Sequence, residues 1–114
     1  MTIEGFRRLA LSLPETSESA HRDHPDFRVS GKIFATLGYP DAKWGMVKWG
    51  MVKLTPPQQG ALIATYSKIF EPVSGGWGIC GATQVRLRYA TATILVPAMA
   101  HAWQNTASTR TQRR

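Results

Sequence analysis

The stretch FRVSGKIFATL, residues 27–37, predicts a β-hairpin, and this hairpin decides the fold class. Two runs rich in β-branched and aromatic residues flank Ser30-Gly31, a two-residue connection that suits the positive φ angles of a tight turn. On the second strand Lys32, Phe34 and Thr36 share one face, because strand side chains alternate. Strands joined in this way are antiparallel, which favours an antiparallel sheet.

A five-residue repeat, WGMVKWGMVK, occupies residues 44–53 downstream of the hairpin. Because strand side chains alternate with a period of two, two copies of an odd-length unit cannot face the same core from one straight strand. The second copy, residues 49–53, leads into a helix start at Thr55 and is expected to hold the sheet position. The first copy, residues 44–48, is expected to lengthen the preceding turn or to project as an extended hairpin tip.

Three helices frame the predicted strands. Apolar residues at helical spacing, capped by Thr2 and ended by Pro14, predict a first helix over residues 2–13. Residues 55–58, TPPQ, combine a capping threonine, a proline suited to the first helical position and the spacing of a capping box. The last helix ends near residue 104, and Pro97 predicts that it starts late or bends there.

The remaining segments complete the order of elements. Residues 14–26 predict a polar loop, residues 70–73 a short edge strand, residues 74–81 (SGGWGICG) a glycine-rich loop, and residues 83–89 a strand. The order is helix, three strands, helix, two strands, helix. It indicates an α+β fold with helices packed on a single antiparallel sheet. We predict one domain over residues 1–104 and a disordered basic tail over residues 105–114.

The composition is that of one small domain. A chain of 114 residues with 43% hydrophobic content can build a core without cross-links. Cys80 is the only cysteine, so no internal disulfide points to an oxidising compartment. No apolar run reaches the roughly 18 residues that indicate a membrane span. A cytoplasmic location without membrane contact is therefore expected.

Basic residues concentrate in the middle and at the end of the chain. The formal net charge is +7, yet residues 1–27 carry five acidic against three basic residues. Residues 28–104 carry eight basic against two acidic residues, and the tail adds three arginines. Such asymmetry favours a polyanionic partner, although basic residues also serve as a solvated surface.

Motifs for catalysis or metal binding are weak. GWGICG, residues 76–81, has the spacing of a dinucleotide fingerprint, but a strand follows where that site needs a helix. HRDHPD, residues 21–26, offers imidazole and carboxylate groups without an established ligand spacing. Nothing in the sequence places a histidine beside Cys80 to activate its thiol. We predict a protein that is not an enzyme and that needs neither metal nor cofactor.

Three segments in this order resemble the MmcQ/YjbR family. They are PDFRVSGKIFATL at residues 25–37, GYPDAKWGMVK and LTPPQQ around the repeat, and FEPVSGGWGICGATQVRL at residues 70–87. The resemblance covers residues 3–104 and implies an α+β fold similar to the secretion-chaperone-like and frataxin-like folds. Members are described as DNA-binding proteins of a double-wing type. Here Ile79-Cys80 and Ala82 depart from the family pattern, as does the second WGMVK copy.

Charge and resemblance together predict a nucleic-acid-binding protein, with DNA as the expected polymer and weak or no sequence preference. Basic residues beside aromatics suit phosphate contact with base stacking, although alternation in a half-buried strand produces the same pattern. A protein-interaction module of the chaperone-like type is the alternative, and a small-ligand pocket is the third reading. The predicted contact residues are Arg28, Lys32, Lys48, Lys53, Arg86 and Arg88 for phosphates, and Trp77 for stacking.

Overall fold

The computed structural model describes residues 1–21, 24–38 and 49–108. Its ten elements in chain order are α1 (Ile3–Leu11), β1 (Ser17–His21), β2 (His24–Val29), β3 (Lys32–Gly38), β4 (Trp49–Lys53), α2 (Pro56–Thr65), β5 (Phe70–Pro72), α3 (Gly76–Ile79), β6 (Ala82–Arg86) and α4 (Ala92–Thr106).

Six strands form one antiparallel sheet in the order β1-β2-β3-β4-β6-β5. Helix α4 packs on β3 and β4, and α1 packs on α4. The core between sheet and helices buries large side chains from both layers, among them Phe6, Phe27, Phe70, Leu95 and Met99. The predicted α+β fold with helices on a single antiparallel sheet is confirmed.

The two helix caps and the hairpin turn that the sequence predicts are present in the structure. Thr2 caps α1 by accepting a hydrogen bond from the Gly5 N–H at 2.9 Å. Ser30 and Gly31 turn the hairpin with φ angles of 54° and 77°. Thr55 and Gln58 form the reciprocal hydrogen bonds of a capping box at the start of α2.

The second WGMVK copy is the strand, as predicted, because β4 is Trp49–Lys53. A Cβ on Gly50 would come within 2.5 Å of Phe6 Cε2, so this glycine lies directly beneath the α1 ring. Trp49, Met51 and Lys53 therefore point to the other face of the sheet. The first copy, residues 44–48, lies outside the described residues.

The predicted loop over residues 14–26 is wrong in its second half. Ser17–His21 pairs with β2, from Ser17 opposite Arg28 to His21 opposite His24. Residues 17–20 are all exposed, so no alternation of apolar and polar side chains announces the strand. A polar edge strand is held by main-chain hydrogen bonds instead.

Two other segments differ from the predicted boundaries. β6 ends at Arg86, because Tyr89 N–H donates to Arg86 O at 3.1 Å and Ala90 N–H to Leu87 O at 3.2 Å, which turns the chain. Helix α4 continues through the exposed Pro97 and runs to Thr106, so the predicted domain boundary at residue 104 falls inside it. Within the described ranges, no helix is long and apolar enough to cross a membrane.

Candidate functional site

An open cleft of about 710 Å³ lies where β4, α3 and the end of α4 meet. Two lysines and a tryptophan border it, and no acidic side chain is among the described residues that line it. The lining residues are Lys32, Lys53, Leu54, Gly76, Trp77, Cys80, Ala82, Asn105 and Thr106. The cleft therefore combines positive charge with an aromatic surface.

Lys53 is the last residue of β4, and its side chain lines the cleft. Its backbone carbonyl accepts a hydrogen bond from Asn105 Nδ2 at 3.2 Å, which ties the strand end to α4. Its ammonium nitrogen lies 5.5 Å from the centre of the Trp77 ring, a cation–π contact. Within the described part of the chain, this ammonium makes no hydrogen bond or ion pair.

Trp77 is 57% exposed although the short helix that carries it is firmly held. Gly78 is buried, and a Cβ there would overlap the Val73 carbonyl oxygen. The side chain of Gln59, itself buried, donates to Gly78 O and to Ala82 O at 3.0 Å each. The glycines of the SGGWGICG segment thus allow a close approach of backbones that holds the indole in solvent.

The segment after α3 is anchored to the strand that carries Lys53. Gly81 has φ +113°, and a Cβ there would overlap the Leu54 carbonyl oxygen. Leu54 N–H donates to Gly81 O at 3.3 Å. The glycine therefore sets how closely the end of α3 approaches the end of β4, and hence the spacing of Trp77 and Lys53.

Lys32 enters the cleft from the hairpin turn at the start of β3. The turn contacts the end of α4, because the Ser108 N–H donates to Ser30 Oγ at 2.9 Å. Lys32 is exposed, and within the described residues its ammonium has no ion pair. Two lysines far apart in the sequence thus face one cleft.

Arg86 lies at the other end of the same sheet face and is surrounded by partners. It pairs with Trp49 in the β4–β6 ladder, and its guanidinium lies 5.3 Å from the centre of that ring. Its Nη2 donates to Glu71 Oε2 at 2.9 Å, and its Nη1 donates to Lys68 O at 3.1 Å and Ser67 O at 3.4 Å. A phosphate would have to compete with this network.

Two other predicted contact residues, Arg28 and Arg88, do not line the cleft. Arg28 forms a bidentate pair with the buried carboxylate of Asp26 at 2.8 and 3.1 Å. The hydrogen bond from Arg28 to Asp26 and the charge of that carboxylate raise the pKa of Arg28 further above its ordinary value, so it stays charged. Arg88 is exposed in the turn after β6, with its guanidinium 5.7 Å from the Tyr89 ring centre. Lys48 lies outside the described residues.

The structure joins Lys32, Lys53 and Trp77 out of the seven predicted residues. Sequence reasoning missed Asn105 and Thr106, because it placed the end of the last helix before them. A helical stripe extended past residue 104 would have found them. Cys80 also lines the cleft, whereas His101 interacts with Gln58 through Nδ1 at 2.9 Å and is not part of the lining.

Metal-ligating side chains do not gather in the part of the chain that the structure describes. No cluster of three or more His, Cys, Asp or Glu residues suited to a metal ion occurs in residues 1–21, 24–38 and 49–108. The cleft offers ammonium groups, an indole face, an amide, a hydroxyl and the Cys80 thiol. The ammonium groups and the indole suit an anionic, partly aromatic ligand.

Comparisons with known proteins agree with this architecture. A family model described as YjbR matches residues 11–104. No protein in the curated set matches the chain significantly. The matched range includes every element from β1 to β6 and nearly all of α4.

Two crystal structures share the fold at low sequence identity. A Pseudomonas syringae protein superposes with a TM-score of 0.67 and 18% identity, covering 93% of this chain and 99% of its own. A Deinococcus radiodurans protein with a DUF419 domain superposes with a TM-score of 0.74 and 14% identity, covering 98% of this chain and 86% of its own. At these identities the similarity shows the fold alone.

Proposed function

The chain belongs to the YjbR family, and from this premise we propose that it binds nucleic acid, with DNA as the expected polymer and weak or no sequence preference. The observation that carries the proposal is the cleft, where Lys32 and Lys53 face an exposed indole without an acidic neighbour among the described lining residues. Ammonium groups attract phosphates without reading sequence, and aromatic faces stack on any base. The proposal assigns no enzymatic activity.

The charge distribution supports the same conclusion. Beyond the cleft, Arg28, Arg88 and Lys48 are further phosphate contacts in this proposal, and residues 109–114 contribute three arginines to the sequence after Ser108. Since Ser108 lies against the hairpin turn, the chain leaves α4 close to Lys32. Positive charge from these residues would add to the attraction of a polyanion.

Arg86 is a poor position at which to test this function. Its guanidinium holds Glu71, two backbone carbonyls and the Trp49 ring, so charge reversal would break contacts of the fold. A loss of binding would then report a damaged sheet as readily as a lost phosphate contact. The cleft lysines separate these effects, because their ammonium groups form no hydrogen bond or ion pair with the described residues.

The test is a titration of fluorescently labelled DNA and RNA oligonucleotides by anisotropy, at low and at physiological salt. Lys32→Gln and Lys53→Gln should each weaken binding and lower the slope of log K against log salt by about 0.7 to 0.9. Lys68→Gln is the matched control, because it removes the same charge at an exposed position that does not line the cleft. Equal effects of all three variants would overturn the cleft assignment, and no binding at either salt concentration would overturn the function.

A protein-interaction module is a second candidate, favoured by a different side chain. Ile79 is 79% exposed on α3, beside Trp77 but outside the lining of the cleft. Exposed apolar side chains that adjoin one another mark protein-binding surfaces. Ile79→Ser should leave nucleic-acid binding unchanged if the cleft is the site, and it should abolish partner capture if α3 is a protein-docking element.

A further inference from the structure

We infer that the cleft accepts an unpaired nucleotide, so that the preferred polymer is single-stranded nucleic acid. The base stacks on Trp77 and the neighbouring phosphate lies beside Lys53. The inference rests on the proposed function and names the class of strand that the same site binds. It is carried by the exposure and the firm support of Trp77, and by the position of Lys53 beside it.

The exposed indole of Trp77 offers a large apolar and aromatic surface to a ligand. Trp77 remains 57% exposed while Gly78, Gln59 and Gly81 hold its backbone against β4, β6 and the segment after β5. The ring is therefore presented on a supported element and does not depend on a loop that must order on binding. A binding surface prepared in this way loses less conformational entropy when the ligand arrives.

Stacking on this ring requires a base that is not already stacked. In a double helix both faces of each base are covered by neighbouring pairs, whereas an unpaired base exposes a face to an aromatic side chain. The cleft of about 710 Å³ falls in the range of about 300–1,000 Å³ that is usual for small-ligand pockets. A nucleotide can enter such a cleft, but the stacked body of a duplex cannot.

Lys53 places a positive charge over one face of the Trp77 ring, so the base stacks on the opposite face and its phosphate reaches this charge at the ring edge. Its ammonium nitrogen is 5.5 Å from the centre of the Trp77 ring. Lys32 lines the same cleft and supplies a second charge for the adjoining phosphate. Stacking and phosphate contact thus occur within one site, which is the combination that single-stranded nucleic acid needs.

The experiment titrates the full chain with an unstructured single-stranded oligonucleotide, with the matching duplex and with a free mononucleotide, at constant salt. We expect the single strand to bind about tenfold more tightly than the duplex and to change the tryptophan fluorescence. Trp77→Leu should weaken single-strand binding about tenfold and leave duplex binding unchanged, because the leucine side chain cannot stack. Trp77→Phe should retain most of the affinity and lose the fluorescence change, which assigns that signal to Trp77.

Each contrary result has a distinct meaning. If neither polymer binds, the proposed function fails. If the duplex binds as tightly as the single strand, or if Trp77→Leu weakens both equally, the inference fails while the proposed function stands. Tight binding of the mononucleotide, without binding of either polymer, would mean that the ligand is a small molecule and would overturn the assignment of single-stranded nucleic acid. If Trp77→Leu does not fold in a thermal melt, Trp77→Phe and Lys53→Gln decide. The inference is contradicted if Trp77→Phe keeps the fluorescence change and Lys53→Gln keeps the single-strand affinity.

Discussion

Each end of β4 carries a cation–tryptophan pair. At the end that we call closed, Arg86 contacts Trp49, and at the end that we call open, Lys53 contacts Trp77 beside the cleft. Arg86 lies 5.3 Å from the Trp49 ring centre and Lys53 lies 5.5 Å from the Trp77 ring centre. The Arg86 guanidinium donates hydrogen bonds to a carboxylate and to two backbone carbonyls, whereas Lys53 borders an open cleft. Ring distance therefore does not distinguish the two pairs. The hydrogen bonds around the cation do.

The largest loss of stability is expected from a substitution that displaces α3, the helix that carries Trp77. Gly78→Ala should lower the free energy of unfolding by about 3 kcal/mol, because the new Cβ overlaps the Val73 carbonyl oxygen and α3 must shift. Chemical denaturation monitored by circular dichroism measures this loss. The control is Gly60→Ala in α2, where nothing lies within 4 Å, and it should stabilise by about 0.5 to 1 kcal/mol. Equal effects of the two variants would show that α3 is not held as described.

The closed end is tested by Arg86→Gln. The variant loses a charge-assisted hydrogen bond to Glu71, the hydrogen bonds to two carbonyls and the contact with Trp49, so we expect a loss of about 1 to 2 kcal/mol. Arg88→Gln is the matched control, because Arg88 is exposed in the turn and should change stability by less than about 0.5 kcal/mol. A pair of equal denaturation curves would contradict a structural role for Arg86.

Lys53→Gln tests the cation–tryptophan pair at the open end of β4. Because its ammonium contributes only the contact with Trp77 among the described residues, we expect a stability change within about 0.5 kcal/mol. Urea denaturation measures it alongside Arg86→Gln under identical conditions. A loss as large as that of Arg86→Gln would mean that both pairs stabilise the fold and that the open end is not set apart for binding.

The smallest effect is expected from removing the first copy of the repeat. Deletion of residues 44–48 should leave the melting temperature unchanged or slightly raised, because the second copy forms β4 and places Trp49 beside Arg86. A thermal melt of the shortened chain is the measurement. A large drop in melting temperature would show that the closed end depends on the first copy as well.

Much of the fold follows from signals that lie close together in the sequence. The turn at Ser30-Gly31, the capping box at Thr55 and the position of the second WGMVK copy were all predictable because a few neighbouring residues specify each. β1 was not predictable, since its exposed residues carry no apolar pattern and the strand depends on pairing with β2. Hydrogen bonds with a partner strand leave no trace in side-chain periodicity.

The candidate site was predictable as residue types but not as an arrangement. Lys32, Lys53 and Trp77 were named from the sequence, yet only the packing of three separate elements brings them to one cleft. The same limit applies to Arg86, whose backbone acceptors at Ser67 and Lys68 depend on how β5 pairs with β6. The sequence shows where basic residues occur, and the fold determines which of their charged groups are already hydrogen-bonded within the protein.

The contact between Leu54 and Gly81 has a consequence for how the chain folds. Both WGMVK copies have the same sequence, and Gly50 of the second copy lies beneath Phe6, so the strand sequence alone does not distinguish this alignment from one displaced by a whole copy. The discrimination comes from the hydrogen bond of Leu54 N–H to Gly81 O and from the helix cap at Thr55. Productive refolding therefore depends on a contact between residues far apart in the chain, which slows it relative to local hairpin formation. An alignment displaced by one copy would lose this contact, and a chain with a single copy could not adopt it.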